Sequence, residues 1–116
     1  MKLLIAGSRS ITDFDLKEYI PKNTELIISG GARGVDTLAE KYADEHKISK
    51  LILHPNYSKY GRVAPIVRNK QMVDIVDRAI IIWDGKSRGT AQTIEYAKKV
   101  GLDYVLINLN TIDKGR

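Results

Sequence analysis

Residues 26–36 read LIISGGARGVD, in which an apolar run, a glycine-rich turn and the first residues of an amphipathic helix follow one another without a gap. The run at residues 26–28 is continuously apolar, which is typical of a strand covered on both faces. Glycines at the following turn allow a sharp change of direction. The stretch therefore predicts a strand that leads directly into a helix, the repeating unit of parallel α/β sheets.

The same kind of strand recurs along the chain. Short apolar runs occupy residues 3–6, 51–53, 79–83 and 104–107, and the first three of these are followed by glycine, proline or polar residues that end them. We expect these runs, with residues 26–28, to form five strands.

Helical patterns separate the strands. The clearest is a one-sided apolar stripe with the spacing i, i+3, i+4, i+7, i+8, made of Val35, Leu38, Ala39, Tyr42 and Ala43. Further helices are predicted at residues 63–76, from residue 89 to a stop at Gly101, and at residues 13–20 before Pro21. Strands alternating with helices predict right-handed crossovers. The expected architecture is a Rossmann-like three-layer α/β sandwich with a mainly parallel five-stranded sheet, formed by a single domain over residues 1–116.

Composition excludes several classes of protein. The chain has 116 residues, of which 43% are hydrophobic and 28% charged, as expected for one globular domain. The absence of cysteine excludes a disulfide scaffold, a thiolate zinc site and a cysteine nucleophile. The apolar stretch at the start is too short for a signal peptide or membrane span, so we expect a cytoplasmic protein without a membrane partner.

The net charge of +5 is unevenly distributed. Between Glu45 and Asp74 there is no carboxylate, whereas six basic residues lie there: Lys47, Lys50, Lys59, Arg62, Arg68 and Lys70. Such a stretch either attracts an anionic partner or is simply a solvated basic surface.

Three predicted strands end in turns rich in glycine and small hydroxyl residues, at residues 7–10, 29–34 and 85–90. The last two open directly into helices, whose amino-terminal N–H groups form an anion site. Each turn also carries an arginine, at Arg9, Arg33 and Arg88. Ligands of open parallel sheets bind beyond the carboxyl ends of the strands, so the three turns predict one phosphate-binding site there.

Familiar nucleotide and metal motifs are absent. Gly7 stands alone after the first strand, which excludes the G-x-G-x-x-G fingerprint. The GKS at residues 85–87 looks like the end of a Walker sequence, but Ile80 occupies the position of the glycine that this motif needs five residues before Gly85. His46 and His54 have no nearby cluster of acids. We therefore expect neither a bound metal nor a cofactor.

Five motifs occur in one order: GSR at residues 7–9, SGGARGVD at 29–36, YGR at 60–62, RN at 68–69 and GT at 89–90. Together they resemble the SLOG superfamily, which includes the DNA-processing (Smf-like) proteins and the "Lonely guy" phosphoribohydrolases. The small stand-alone branch known as domain of unknown function 2493, found in bacteria and phages, is the most similar. The resemblance spans residues 2–107 and implies a nucleotide or nucleotide-derived ligand and a homodimer or higher homo-oligomer.

The resemblance and the turns together give a set of candidate ligand residues. Gly30, Gly31 and Gly34 would admit a phosphate, with Arg33 as counter-charge. The complete candidate set is Gly7, Ser8, Arg9, Ser29, Gly30, Gly31, Ala32, Arg33, Gly34, Asp36, Arg68, Asn69, Asp84, Gly85, Ser87, Gly89 and Thr90.

Several of these side chains have two interpretations. Asp36 either stabilises the helix dipole or accepts hydrogen bonds from a ribose. Asn69 lies on an apolar stripe and either braces the loop after the first strand or contacts the ligand. Tyr57 and Tyr60 either stack on a base or pack as a lid.

Whether a reaction occurs is left open by the residues. The phosphoribohydrolase branch needs a glutamate three residues after Thr90, where this chain has Thr93. No catalytic residue is therefore assigned, and Asp36, Arg68 and Glu95 are candidates. We expect a sensor or carrier of a nucleotide-derived ligand. The alternatives are a hydrolase of the N-glycosidic bond of a nucleoside monophosphate and a DNA-binding protein.

Overall fold

The computed structural model describes residues 1–109, which form one five-stranded sheet with helices on its faces. All strand pairs are parallel, in the order β3-β2-β1-β4-β5. The strands are β1 (Lys2–Gly7), β2 (Leu26–Ser29), β3 (Ser49–Ile52), β4 (Arg78–Trp83) and β5 (Asp103–Asn108). The helices are α1 (Val35–Glu45), α2 (Tyr57–Tyr60), α3 (Ala64–Ile75) and α4 (Arg88–Val100), with a 3-10 turn at Gly61–Val63 before α3. The predicted parallel α/β sheet is confirmed.

The chain reverses its direction of travel across the sheet between β1 and β4. It steps outward from β1 through β2 to β3, then returns to β4 on the other side of β1 and continues to β5. β1 and β4 are aligned so that Gly7, the last residue of β1, lies opposite Ile82. The carboxyl ends of β1 and β4 therefore form the switch point at which ligands bind in open α/β sheets.

Alternate residues of the central strands fill two separate cores, which makes the three layers. One face packs against α1 and the segment after β1 through Leu3, Ile5, Ile11, Leu16, Ile27, Val35, Ala39, Ala43, Ile80 and Ile82. The opposite face packs against α3 and α4 through Leu4, Ala6, Ile28, Met72, Val73, Ala79, Ile81 and Ile94. The aliphatic side chains of both faces are almost fully buried, as the continuously apolar strands predicted.

The prediction of a helix at residues 13–20 is wrong, because that segment is irregular chain with one turn at residues 17–19. The carboxylate of Asp15 accepts a hydrogen bond from the Lys17 N–H at 3.0 Å, a local bond that competes with helical pairing. Leu16 is the buried residue of the segment, and the half-buried Phe14, two positions earlier, would lie on the opposite side of a helix. The layer beside α1 is therefore completed by an irregular chain.

The third strand also differs from its prediction. It was expected at residues 51–53 with both faces covered, but β3 runs over Ser49–Ile52 at the edge of the sheet, and Leu51 is 42% exposed. No helix was predicted between residues 53 and 63, but α2 and the 3-10 turn lie there. The predicted stop of α4 at Gly101 is confirmed, with a left-handed φ of 75°. Across residues 1–109, no helix combines the length and the apolar character needed to span a bilayer.

Candidate functional site

A cleft of about 470 Å³ opens over the carboxyl edge of the sheet at the switch point. It is bounded by the ends of β1 and β4, the turn after β2, and the helices α1, α3 and α4. The residues that line it are Ala6, Gly7, Arg9, Ser10, Ala32, Arg33, Asp36, Pro65, Arg68, Asn69, Met72, Asp84, Ser87, Gly89, Thr90 and Thr93.

Most of the candidate ligand residues line this one cleft. Those that line it are Gly7, Arg9, Ala32, Arg33, Asp36, Arg68, Asn69, Asp84, Ser87, Gly89 and Thr90. The candidates that do not line it are Ser8, Ser29, Gly30, Gly31, Gly34 and Gly85.

Arg68 is a buried cation that joins the ends of two strands. It is 7% exposed, and its Nη1 donates to the carbonyl oxygens of Gly30 at 2.6 Å and Leu53 at 3.2 Å. Its Nε donates to Oδ1 of Asn69 at 2.9 Å, so the amide of Asn69 orients Arg68 and does not brace the loop after β1. Burial lowers the pKa of Arg68, while Asp36 and Tyr57 act in the opposite direction and Arg9 adds to the lowering.

Asp36 is a buried carboxyl group in the first turn of α1. It is 7% exposed, and its Oδ2 accepts a hydrogen bond from the Ala32 N–H at 3.1 Å. Burial raises the pKa of Asp36 to about 6, although the Ala32 hydrogen bond and the charge of Arg68 both lower it. A carboxyl group that titrates near neutral pH in a cleft is suited to accepting a hydroxyl hydrogen bond or to moving a proton.

The Asp36→Asn variant should remove a pH dependence of stability. Because folding raises the pKa of Asp36 from 3.8 to about 6, its contribution is fully present below about pH 4 and is lost as the pH rises through 6. We expect Asp36→Asn to be more stable than wild type above pH 6, by as much as about 3 kcal/mol, and equal to it near pH 4. Urea denaturation at several pH values measures this. Parallel pH profiles for the two proteins would contradict it.

On the β4 side of the cleft, Asp84 organises the turn into α4. Its Oδ1 accepts hydrogen bonds from the N–H groups of Lys86 and Ser87, both at 2.8 Å, and its Oδ2 accepts from the Ser10 hydroxyl at 2.8 Å. Burial opposes ionisation, but the bonds from Ser87, Lys86 and Ser10 outweigh it and hold the pKa of Asp84 well below its usual range. Asp84 is therefore ionised and has a structural role, because hydrogen bonds from neighbouring residues stabilise its negative charge.

The amino terminus of α4 has no capping hydrogen bond from the side chain of its first flanking residue. Ser87 occupies the capping position, but its hydroxyl lies 2.6 Å from Oγ of Ser8 and 3.2 Å from Oδ1 of Asp84, and within residues 1–109 it makes no capping bond to the first turn. A Cβ built on Gly89 would meet nothing within 4 Å. Gly89 and Thr90 of this turn line the cleft, and among residues 1–109 no capping side chain occupies their N–H groups.

Two of the glycines after β2 are required by close packing with other parts of the protein. A Cβ on Gly30 would lie 2.8 Å from Nη1 of Arg68, and one on Gly34, whose φ is 77°, would lie 2.5 Å from the Ser8 carbonyl oxygen. Both positions need glycine because other parts of the protein fill the space. Gly89 is thus the glycine of the cleft that faces open space.

Two further guanidinium groups lie at the cleft on exposed side chains. Arg9 and Arg33 both line it, and among residues 1–109 neither has a carboxylate within salt-bridge distance. Arg88, the third arginine predicted from the turns, does not line the cleft, whereas Arg68 does. The cleft therefore combines the guanidinium groups of three arginines with the carboxyl groups of Asp36 and Asp84. The Asp84 carboxylate already accepts hydrogen bonds from neighbouring residues.

Five lining residues were not predicted, namely Ala6, Ser10, Pro65, Met72 and Thr93. Thr93 is 3% exposed and donates to the Gly89 carbonyl oxygen at 3.1 Å. Its position three residues after Thr90 on one helix was a usable signal, since such residues share a face. Glu95 instead lines a separate groove between α3 and α4, with Lys70, Tyr96 and Lys99. Within the described part of the chain, no group of histidine and acidic residues could hold a metal ion.

Comparison with protein-family models, with curated proteins and with solved structures finds no match to this chain. The resemblance to the SLOG superfamily therefore rests on the five sequence motifs alone. The geometry of the cleft is independent of that resemblance.

Proposed function

We propose that the cleft binds a phosphate-bearing, nucleotide-like ligand, with the phosphate at the amino terminus of α4. The observation that carries this proposal is the uncapped first turn of α4, where Gly89 faces open space and lines a cleft that also holds the exposed guanidinium groups of Arg9 and Arg33. The N–H groups of this turn and the helix dipole favour an anion at this position, and the guanidinium groups of the cleft favour an anionic ligand.

The other end of the cleft suits a sugar hydroxyl better than a second strong anion. Asp36 lies there, and its carboxyl group is ionised above about pH 6. An ionised carboxylate accepts hydrogen bonds from hydroxyl groups and repels phosphate. Asp36 would therefore hold the ribose of the ligand.

The spacing of the strands favours a ligand larger than phosphate. β2, which leads to Asp36, and β4, which leads to α4, flank β1 on opposite sides. Two strand spacings separate them by roughly 10 Å. One ligand that contacts both ends must therefore extend well beyond a single phosphate group, as a nucleoside phosphate does.

Thermal-shift measurements with matched pairs of nucleosides and nucleoside phosphates test this function. A ligand at 100 times its dissociation constant stabilises the folded state by about 2.7 kcal/mol, so binding gives a measurable rise in Tm. We expect nucleoside mono- or diphosphates, or ADP-ribose, to raise the Tm and the corresponding nucleosides to have little effect. The absence of a shift with every phosphate-bearing compound would contradict the proposal.

A second candidate function is hydrolysis of the N-glycosidic bond of a nucleoside monophosphate. It is favoured by the pKa of Asp36, about 6, in a residue that lines the cleft. Arg68 is already engaged with the carbonyl oxygens of Gly30 and Leu53. Chromatography of ligand incubated with the protein would detect free base and sugar phosphate. Hydrolysis that is lost in Asp36→Asn, with binding retained, would support an enzyme, whereas an intact ligand would support a sensor or carrier.

A further inference from the structure

The segment after β3 lies beside the cleft at the carboxyl edge of the sheet. The Leu53 N–H donates to the Ser29 carbonyl oxygen at 2.9 Å, and the Leu53 carbonyl oxygen accepts from Nη1 of Arg68 at 3.2 Å. A Cβ on Gly31 would lie 2.6 Å from the ring of His54. These contacts fix the start of the segment against the turn after β2. The segment then continues through α2 into α3, whose Pro65 and Arg68 line the cleft.

Tyr57 is held in place at the backbone while its side chain is exposed. Asn56 caps α2, because its Oδ1 accepts from the Lys59 N–H at 3.1 Å and its carbonyl oxygen accepts from the Tyr60 N–H at 3.0 Å. Nevertheless Tyr57 is 59% exposed, the largest exposed fraction among the large hydrophobic side chains of residues 1–109. A packing lid would bury its ring, so that interpretation of Tyr57 does not fit. An ordered backbone with an exposed ring is the arrangement of a stacking platform.

The surroundings of Tyr57 are free of negative charge along the chain and are close to the cations of the cleft. No carboxylate occurs between Glu45 and Asp74. The phenol of Tyr57 is near enough to the Arg68 guanidinium to act on it electrostatically. Both features favour an anionic ligand beside the segment that carries Tyr57.

We propose that Tyr57 is a specificity-determining residue whose exposed ring stacks on the aromatic base of the ligand at the rim of the cleft. This inference rests on the proposed function, since the phosphate and sugar must first occupy the cleft. It identifies the ligand class as base-bearing nucleotides, in preference to phosphosugars without a base. Stacking on a tyrosine tolerates different bases, because every base has a π-face.

Calorimetric titration of the full chain with adenosine 5′-monophosphate and with ribose 5-phosphate tests the inference. The variants are Tyr57→Ala, Tyr57→Phe, which keeps the ring, and Tyr19→Ala as a matched control. Tyr19 is 41% exposed, and its ring lies beside that of Phe14, with 5.6 Å between the ring centroids, in the segment after β1. We expect Tyr57→Ala to bind the nucleotide about 5- to 150-fold more weakly, with unchanged affinity for ribose 5-phosphate. Tyr57→Phe and Tyr19→Ala should bind both compounds like wild type.

The three ways in which the inference can fail are distinct. If wild type binds both compounds and Tyr57→Ala binds the nucleotide equally well, the stacking role is overturned while the proposed function stands. If Tyr57→Ala loses both compounds to the same extent, Tyr57 supports the cleft and does not select the base, which also overturns the inference. If wild type binds neither compound, the proposed function fails and the inference fails with it. Far-ultraviolet circular dichroism of each variant shows that the fold is retained.

Discussion

Gly89→Glu should abolish binding of phosphate-bearing ligands while leaving the folded chain at least as stable as wild type. The new carboxylate would occupy the open space beside the first turn of α4, where a Cβ meets nothing within 4 Å. Its charge would repel a phosphate directly, which weakens binding by at least about 100-fold. The same substitution replaces a glycine in a helix and places an acid at its amino terminus, which together stabilise by about 1 kcal/mol. Calorimetric titration and urea denaturation measure the two effects.

Two control variants separate charge from position. Gly89→Gln has nearly the same size without the charge, so it should weaken binding less than Gly89→Glu. Gln92→Glu adds the same charge one turn later, at a residue that lines the groove between α3 and α4 and not the cleft, and should weaken binding less than Gly89→Glu. Wild-type affinity in Gly89→Glu would contradict the placement of the phosphate.

Arg68→Met should lower the free energy of unfolding by about 3 to 5 kcal/mol. The substitution leaves the carbonyl oxygens of Gly30 and Leu53 without their donor and removes the opposite charge from the buried Asp36. Buried polar groups that lose a charged partner carry most of the cost. Urea denaturation at pH 7 gives the change directly.

Arg62→Met is the matched control for that experiment. Arg62 is an exposed arginine six residues earlier, and its replacement should change stability by less than about 0.5 kcal/mol. A loss below about 1 kcal/mol in Arg68→Met would show that the hydrogen bonds of Arg68 do not hold the two strand ends together. Such a result would contradict the structural role given to Arg68.

The central strands and the long helices were predictable because their signals are local. β1 and β4 are continuously apolar and lie in the middle of the sheet, covered on both faces. The prediction that both faces of β3 are covered was wrong because β3 lies at the edge of the sheet. The sequence of a strand does not show by itself whether the strand is an edge strand. The segment at residues 13–20 carries helix-forming residues, but Phe14 and Leu16 both pack against the core, and residues two positions apart do not share one side of a helix. In both cases tertiary packing overrode the local sequence signal.

The position of the cleft was predictable from the sequence, but the contacts within it were not. Glycine-rich turns at strand ends pointed to the carboxyl edge, and the cleft lies there. However, the reason for glycine at position 30 is a contact with Arg68, which lies 38 residues away in the chain. The availability of the α4 amino terminus likewise depends on Ser8, which engages the hydroxyl of Ser87 from the loop after β1. Contacts of this kind exist only once the fold brings the loops together.

The most direct test of the proposed site is a nuclear magnetic resonance titration of the ¹⁵N-labelled chain with adenosine 5′-monophosphate. We expect the largest changes in backbone amide shifts at Gly89 and Thr90 in the first turn of α4, with smaller changes at Arg9 and Arg33. Changes confined to the groove around Gln92 and Lys99, or no changes at any concentration, would contradict the placement of the ligand in the cleft.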